Sequence, residues 1–459
     1  MIHRYQKKGL NFVLDVNSGA VHLLDDISYA VSGLLDENMG DTCPQSIIDA
    51  LSDYTADEIR EAYDELYELK KAGQLFAQDD YIDVSRYIPV NAPVKALCLH
   101  VAHDCNLRCK YCFASTGDFG QGRKIMPPEI AKKAIDFVIA RSGVRHNIEV
   151  DFFGGEPLMA WDTVTQTVDY ARSLEEKYNK KFRFTITTNG LLLDADKRKY
   201  INENMDNCVL SLDGRREVND EFRKTVAGTG SYDTIVPKFK ALVDERDPNL
   251  DYYARGTFTS HNLDFAEDVL SIADAGFDRL SVEPVTADPG CGYDLTEDDL
   301  PKIEAEYDRL TDIMLERKKE GKPFTFFHFM VDLDQGPCVV KRLRGCGAGY
   351  EYVAVTPDGD IYPCHQFVGK DEFKQGSVLD QSFNMDIAQK FAGMNIYSRP
   401  KCQKCWAKFY CSGGCSAANY NMNHDMNDSY DLGCEMERKR LECAIYLKAM
   451  DKICANQSK

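Results

Sequence analysis

Apolar and polar residues alternate along the middle of the chain in a pattern that predicts strands followed by helices. Apolar, β-rich runs occur at 95–102, 147–153, 182–188, 207–212, 251–259 and 278–285, and helical stretches occur at 129–141, 162–178, 232–244 and about 296–320. Such alternation indicates a parallel sheet with its chemistry at the carboxyl ends of the strands. Six units are too few for a closed eight-stranded barrel, so we expect an α/β fold with a partial (β/α)6 barrel.

The N-terminal segment has a different layout. Residues 9–24 hold two apolar runs around a turn, which predicts a β-hairpin within a small sheet. Thr55 and Glu58 form a capping box ahead of a helix that Gly73 ends. Strands followed by helices therefore predict a separate module over residues 1–82.

The C-terminal segment, from Gly336 onward, is rich in cysteine and has little regular periodicity. We expect it to fold around metal. The sequence therefore predicts three domains, over residues 1–82, 83–325 and 326–459.

Composition narrows the classes of function. Hydrophobic residues make up 44% and charged residues 28%, as in ordinary globular proteins. The 55 basic and 74 acidic residues give a net charge of −19, which repels a nucleic-acid backbone. No run of 18 apolar residues occurs, so we expect no membrane partner and a cytoplasmic location.

Seventeen cysteines in a chain without an export signal favour metal binding over disulfides. Cys105, Cys109 and Cys112 follow directly after a predicted strand. Iron–sulfur cubes are usually held by four thiolates, so a trio leaves one iron open for a cofactor or substrate. A zinc site completed by His100 or His103, or three unligated cysteines, are the alternatives.

The spacing C-x3-C-x2-C, with Tyr111 before the last cysteine, resembles the signature of radical S-adenosylmethionine (SAM) enzymes. The resemblance implies that Cys105, Cys109 and Cys112 are catalytic and hold a 4Fe–4S cluster that binds SAM, next to Tyr111. It also implies SAM contacts at the ends of the second, third and fourth strands, by Gly154, Gly155, Glu156, Thr188, Asn189, Ser211 and Asp213. The Gly-Gly-Glu motif would receive the methionine amino group, and the other two strand ends the ribose and carboxylate.

Two alternatives to these assignments stay open. If the resemblance to the family is set aside, Gly-Gly-Glu-Pro and Ser-Leu-Asp-Gly are also typical of turns that end strands. Arg223 either holds the SAM carboxylate through a charge-assisted pair or is a solvated surface arginine.

The second cysteine set resembles the SPASM extension of radical SAM enzymes that modify peptides and proteins. By this analogy Cys402, Cys405, Cys411 and Cys434 hold one auxiliary 4Fe–4S cluster, while Cys346, Cys364 and Cys415 hold another, giving three clusters in all. Cys338 is either the fourth ligand of the latter cluster, or it does not bind that cluster and one iron remains open for a substrate thiolate. A pair of zinc ribbons is the alternative for the whole set.

The N-terminal module resembles winged-helix, PqqD-like elements that bind leader sequences as an added strand. All three domains together resemble thioether-forming peptide maturases, and among them the maturases of SCIFF peptides. This resemblance implies a Cys-rich precursor peptide with a leader as partner, and coupling of a Cys sulfur to a carbon of another residue, which we expect to be Thr. A flavodoxin or ferredoxin is the expected reductant.

Two rival functions remain. Anaerobic sulfatase maturases form formylglycine and have an Asp directly after the cysteine that corresponds to Cys364. Here the residue is His365, which weakens that reading. A non-catalytic iron–sulfur electron carrier with a peptide-binding arm is the other rival, and it would need no SAM motifs.

Overall fold

The computed structural model describes residues 1–83, 92–333 and 339–457. It separates into two compact units. The first contains Met1–Ile88, Phe329–Gly345 and Met394–Lys459, and the second contains Pro89–His328 and Cys346–Gly393. This grouping differs from three consecutive domains divided at residues 82 and 325, because 346–393 adds strands to the central sheet while 394–459 packs against the N-terminal module.

The strands of the described residues lie between Ile2 and Ser377. In chain order they are β1 (Ile2–Lys7), β2 (Leu10–Asp15), β3 (Val21–Leu24), β4 (Ala96–His103), β5 (Leu107–Cys109), β6 (Lys124–Ile125), β7 (Asn147–Gly154), β8 (Lys181–Thr188), β9 (Asn207–Ser211), β10 (Arg223–Thr225), β11 (Asp251–Phe258), β12 (Arg279–Pro284), β13 (Thr325–Phe326), β14 (Tyr352–Val355), β15 (Asp360–Tyr362) and β16 (Gly376–Ser377).

The α-helices alternate with strands in the centre and dominate the C-terminal part. They are α1 (Asp26–Ser32), α2 (Gln45–Ala50), α3 (Ala56–Lys71), α4 (Pro128–Arg141), α5 (Trp161–Tyr178), α6 (Ala195–Asn204), α7 (Arg216–Phe222), α8 (Tyr232–Asp244), α9 (Phe265–Asp274), α10 (Leu300–Lys319), α11 (Val339–Arg344), α12 (Met385–Gly393), α13 (Pro400–Gln403), α14 (Lys408–Cys411), α15 (Ser416–Asn423) and α16 (Asp431–Gln457). None of the helices in the described ranges is long and apolar enough to cross a membrane.

The second unit is built on one sheet with six parallel strands at its centre. They run in the order β12, β11, β9, β8, β7 and β4, and they are the six strands that the alternating pattern predicts. The predicted partial barrel is therefore confirmed. β13 extends the sheet beside β12, and β14 lies parallel to β4 before β15 and β16 continue antiparallel.

Side chains alternate between two environments along the parallel strands, as the pleat requires. On β7 and β8 every second residue is fully buried, and the rings of Phe152 and Phe184 stack with centroids 5.8 Å apart. Phe153 and Thr187 lie on the other face and are partly exposed. This second face is the interior of the partial barrel, where the candidate site lies.

The first unit opens with the antiparallel sheet β1–β2–β3, followed by α1, α2 and α3. The predicted capping box of α3 is present: the Thr55 hydroxyl accepts from Glu58 N–H, and the Glu58 carboxylate accepts from Thr55 N–H. Val13 and Ile59 are fully buried in the core that the sheet and helices share. Strands followed by helices are thus observed, with β1 as a strand that the pattern did not predict.

The C-terminal helix α16 packs against this N-terminal sheet. The rings of His3 and Trp406 stack with centroids 3.7 Å apart, and His3 Nε2 lies 2.9 Å from Glu442 Oε1. Lys7 Nζ lies 3.2 Å from Cys443 Sγ. A second buried core joins the same segments and contains Val16, Leu343, Ile396, Cys402 and Phe409. The first and last segments therefore form one packed unit.

Candidate functional site

The first three cysteines follow the carboxyl end of β4. Cys105 comes directly after the strand, and Cys109 ends the short strand β5. β5 pairs antiparallel with β10, so that Cys109 lies opposite Arg223. Cys112 N–H donates to the carbonyl oxygen of Cys109 in the turn that follows. This local pairing gathers the thiols at the edge where the parallel strands end.

The three thiols open onto one cavity. The predicted site residues that line it are Cys105, Cys109, Tyr111, Cys112, Gly154, Gly155, Glu156, Thr188, Asn189, Ser211 and Arg223. Only Asp213, among the predicted residues of this site, is absent from the lining. The structure thus brings together residues that the sequence placed at separate strand ends.

The donor set of this cavity suits an iron–sulfur cube. No three Cys, His, Asp or Glu side chains in the described residues converge tightly enough to hold a single metal ion. A cube is larger and is held by cysteine thiolates set around it, and Cys105, Cys109 and Cys112 surround a cavity in this way. Three thiols would leave one iron of such a cube without a thiolate and therefore open to a further ligand.

Two of the thiols, those of Cys105 and Cys109, are buried enough to resist ionisation without metal. Burial raises the pKa of Cys105 to about 12, and the Glu156 carboxylate adds to the increase. Burial also raises the pKa of Cys109 to about 11, while the guanidinium of Arg223 opposes that increase. Because only thiolates bind iron, we expect cluster assembly here to release protons.

The zinc alternative relied on His100 or His103. These rings bond each other, with Nδ1 of His100 3.1 Å from Nε2 of His103. Burial lowers the pKa of His103 to about 4 and holds that of His100 well below its usual value. Neither ring lines the thiol cavity, so the geometry does not support zinc completed by either histidine.

Glu156 ties the ends of β7 and β8 together. Its carboxylate is 1% exposed and accepts from Leu158 N–H, from the Thr188 hydroxyl and from Asn189 N–H at 2.7–3.0 Å. Burial raises its pKa, and these hydrogen bonds oppose the rise. The Asn189 side chain in turn donates to Asn106 Oδ1 at 2.7 Å. The Gly-Gly-Glu motif therefore organises the wall of the cavity, beyond any contact with a cofactor.

Tyr111, Asp213 and Arg223 form a buried network behind the cysteines. Arg223 Nη1 donates to the Tyr111 hydroxyl at 2.8 Å, and that hydroxyl donates to Asp213 Oδ2 at 2.6 Å. Arg223 is 8% exposed, so the surface-arginine alternative is wrong. Its Nε is buried and has no hydrogen-bond partner in the part of the chain that the structure describes. An arginine that lines the cavity and retains an unpartnered donor suits an anionic group, and Asp213 accepts the hydrogen bond of Tyr111.

Two glycines allow the cysteine loop to approach the end of β7. A Cβ on Gly155 would lie 2.1 Å from the carbonyl oxygen of Asp104 and 3.0 Å from that of Gly117. A Cβ on Gly117 would lie 2.7 Å from Cys105 Cβ. Only glycine fits at either position without a shift of the backbone that carries Cys105.

Sequence reasoning missed the apolar residues of the cavity wall, and the two aromatic ones are Phe113 and Phe153. Each is adjacent in the chain to a motif, because Phe113 follows Cys112 and Phe153 precedes Gly154, and that adjacency is the signal that was available. The ring of His365 stacks on Phe153 at 5.0 Å and lies 5.3 Å from Phe113. Burial, together with the Arg255 charge, lowers the pKa of His365 to about 4.

Part of the second cysteine set lines a separate cavity in the first unit. All four predicted ligands of one auxiliary cluster line it, namely Cys402, Cys405, Cys411 and Cys434. Burial raises the pKa of Cys411 to about 12 and that of Cys434 to about 11, and the neighbouring thiols add to both increases. Arg438 Nη1 lies 4.0 Å from Cys405 Sγ. Four thiols around one cavity again suit a cube.

The other auxiliary set is divided between the units. Cys364 is buried and Cys346 exposed in the second unit, and Cys415 is exposed in the first. Their grouping around one cluster therefore stays a prediction. Cys338 lies outside the described residues.

Replacing Cys402 and Cys434 together by alanine is expected to lower bound iron from about twelve to about eight atoms per chain, because one cube loses half of its ligands. Iron, acid-labile sulfide and zinc are measured on one anaerobic sample. Cys454→Ala is the matched control, since Cys454 is an exposed thiol on the same helix as Cys434. Unchanged iron in the double variant, or about two zinc ions per chain in the parent protein, would contradict the assignment.

Two segments of the chain match known protein families. Residues 99–252 match the radical SAM superfamily, and residues 346–406 match SPASM, an iron–sulfur cluster-binding domain. The first segment contains Cys105, Cys109 and Cys112, and the second begins at Cys346.

Similar proteins cover most of the chain. The cysteine-type anaerobic sulfatase-maturating enzyme of Clostridium novyi is 25% identical over 354 residues, which cover 72% of this chain and 90% of that protein. Native anSMEcpe with bound AdoMet has a TM-score of 0.64 at 20% identity, over 80% of this chain and 100% of its own. Streptococcus suis SuiB bound to precursor peptide SuiA has a TM-score of 0.52 at 17% identity, over 94% of this chain and 98% of its own. The two structural similarities show the fold.

Proposed function

We propose that this chain, which carries a radical SAM domain followed by an SPASM domain, matures a ribosomally made Cys-rich peptide by forming a thioether. SAM and 4Fe–4S clusters are the cofactors of these two domains. The observation that carries the proposal is the presence of two thiol-lined cavities, one with three cysteines and one with four. The alignment over 94% of the chain with SuiB, which binds a precursor peptide, supports a peptide substrate.

The proposed reaction joins a cysteine sulfur to a carbon of an acceptor residue, for which we propose threonine. One S–H bond and one C–H bond break, and one C–S bond forms. The hydrogen atom goes to 5′-deoxyadenosine, the thiol proton goes to solvent, and one electron is left over. When bound, the cofactors supply the 5′-deoxyadenosyl radical and take up that electron.

The chain's own residues orient the reactants and limit side reactions. Arg223 offers an N–H donor to the carboxylate of SAM, and Glu156 offers a carboxylate to its amino group. Phe113 and Phe153 form apolar walls beside the thiols. Such walls exclude water and stray hydrogen donors and fix the approach of the substrate carbon.

Formylglycine formation is the second candidate function. The sequence similarity to a sulfatase-maturating enzyme favours it. Against it stands His365, which occupies the position where that family has an acidic residue, and whose ring is stacked and buried. We therefore rank thioether formation first.

We further propose that the module formed by β1–β3 and α1–α3 binds the leader. Within the described residues β3 is an outer strand of its sheet, and Leu23 on it is 42% exposed. A leader can add as a strand there, with backbone hydrogen bonds for affinity and side-chain contacts for specificity. Deleting residues 1–82 would also remove Val16 from the core around Ile396, so a point variant is the sharper test.

Leu23→Asp is expected to weaken binding of a synthetic leader peptide about tenfold, because it places a charge on the apolar edge. Fluorescence anisotropy measures the dissociation constant. Leu34→Asp is the control, since Leu34 is 47% exposed but lies outside the sheet. Equal affinities of the two variants would count against leader binding at β3.

An anaerobic assay tests the main proposal. The reconstituted holoenzyme is incubated with SAM, dithionite and a synthetic precursor that carries a leader and six core cysteines. We expect 5′-deoxyadenosine and a product that keeps its sulfur but has fewer cysteines open to alkylation. A product that loses sulfur would favour formylglycine formation. Absence of 5′-deoxyadenosine would favour a non-catalytic carrier.

In the cell, we propose a flavodoxin or ferredoxin as the reductant and the cytoplasm as the location. A purified flavodoxin or a purified ferredoxin, each in place of dithionite, tests the proposed reductant. Failure of both carriers to support turnover would overturn it.

A further inference from the structure

A charged pair lies beside the three-thiol cavity on the interior face of the barrel. Arg255 on β11 is the ladder partner of Ser211 on β9, and Ser211 lines the cavity. Glu283 on β12 is the ladder partner of Thr257 on β11. Alternate residues of a strand share a face, and so do ladder partners. Arg255 and Glu283 therefore lie on the same face of the sheet as Ser211.

The two side chains bond each other and remain accessible. Arg255 Nη2 lies 2.5 Å from Glu283 Oε2, and the side chains are 45% and 33% exposed. Ala254 and Val282, their chain neighbours, are fully buried on the opposite face. The pair is thus open towards the interior of the barrel.

Strand pairing places this pair next to the cavity wall. Arg255 neighbours Ser211 across the β9–β11 ladder, and Ser211 lines the cavity. On the other side, His328 Nε2 lies 3.9 Å from Glu283 Oε1. The pair therefore occupies the space next to the reacting centre.

An accessible aromatic ring completes the group. Phe327 is 49% exposed and packs edge-on against Tyr253 with ring centroids 5.4 Å apart. Tyr253 lies two residues before Arg255 and on the same face of β11. A charged donor and acceptor beside an exposed ring suit a polymer that has both polar and apolar parts, as a peptide does.

We infer that Arg255 and Glu283 bind the main chain of the substrate peptide where it passes the three-thiol cavity. A guanidinium has five N–H donors, and a carboxylate has about four acceptor sites. Side by side they match the carbonyl oxygen and the N–H of a peptide segment. Binding the main chain here holds the acceptor carbon over the cavity, where a small displacement slows hydrogen abstraction. The inference rests on the proposed peptide substrate.

Neutral variants of the pair test the inference with the same six-cysteine precursor. Arg255→Met and Glu283→Gln are each expected to raise the KM for the precursor about tenfold, the effect of losing one charge-assisted hydrogen bond. The KM for SAM and uncoupled 5′-deoxyadenosine formation should stay within about twofold. The matched control is the pair Arg279–Asp251, 2.7 Å apart at the opposite ends of the same two strands. Arg279→Met and Asp251→Asn should leave every readout within about twofold.

The charge-swapped variant Arg255→Glu with Glu283→Arg separates binding from a structural role. If the pair has only a structural role, the swapped ion pair restores the parental KM for the precursor. If the pair binds the peptide, the swap places a donor where the peptide needs an acceptor and an acceptor where it needs a donor, so that KM should stay raised. An unchanged KM in the neutral variants, restoration by the swap, or a rise in the KM for SAM alone would overturn the inference. If the parent enzyme neither binds nor converts the precursor, the proposed function fails, and the inference fails with it.

Discussion

Replacing Cys105, Cys109 and Cys112 together by alanine is expected to reduce formation of 5′-deoxyadenosine below detection. These thiols line the cavity that also contains the strand ends from β7, β8 and β9. Without them the chain would hold no cluster at the proposed SAM site, and the cofactors would supply no 5′-deoxyadenosyl radical. Anaerobic assay by liquid chromatography measures the product. Bound iron should fall to about eight atoms per chain as one cube of three is lost.

Cys291→Ala serves as the control for this triple variant. Cys291 is an exposed thiol of the same unit that lines neither cavity. We expect the control to cleave SAM at the parental rate. Retained cleavage in the triple variant would refute the assignment of these cysteines. Loss of leader affinity in it would instead indicate general misfolding.

Gly155→Ala is expected to have the second largest effect, a loss of about 1–3 kcal/mol in the free energy of unfolding together with loss of most SAM cleavage. The new methyl group would lie 2.1 Å from a backbone carbonyl oxygen, that of Asp104. Backbone yields less readily than a flexible side chain, so the loop that begins with Cys105 must move. Thermal unfolding and 5′-deoxyadenosine formation are measured in parallel.

Gly393→Ala is the matched control in the same unit. A Cβ there meets no atom within 4 Å, and the residue ends helix α12. Alanine should be neutral or slightly stabilising at this position. Parental stability and activity in Gly155→Ala would show that the cysteine loop does not depend on the close approach to β7.

The central sheet was predictable because its strands have a local signature. β7, β8, β9 and β11 bury alternate residues, whereas β4 is buried along its whole length and β12 at three consecutive residues. Helices separate these strands in the sequence, and both features are visible within about twenty residues of sequence. β1 was not predictable in this way. Its sequence is largely polar, and His3 and Lys7 are accommodated by Trp406 and Cys443 from the far end of the chain.

The same distinction between local motifs and tertiary contacts decides which site residues could be predicted. Cysteine spacing and strand-end motifs identified most of the cavity residues, because each motif is local. The burial of Arg223 was not predictable, since it depends on the pairing of β10 with β5 across more than a hundred positions. Asp213 shows the same limit. Its place at a strand end was evident, but its hydrogen bond to Tyr111 is a tertiary contact that joins positions 102 residues apart.

The packing of the first strand on the last helix also constrains how the protein is made. His3 and Glu442 are 439 positions apart in the chain. A ribosome adds about 5–20 residues per second, so roughly 20–90 s pass between the synthesis of β1 and the synthesis of its partner helix. During that interval Tyr5 and Val16, which are buried in the finished protein, remain open to solvent. The nascent chain therefore presents an apolar strip to chaperones for most of its translation.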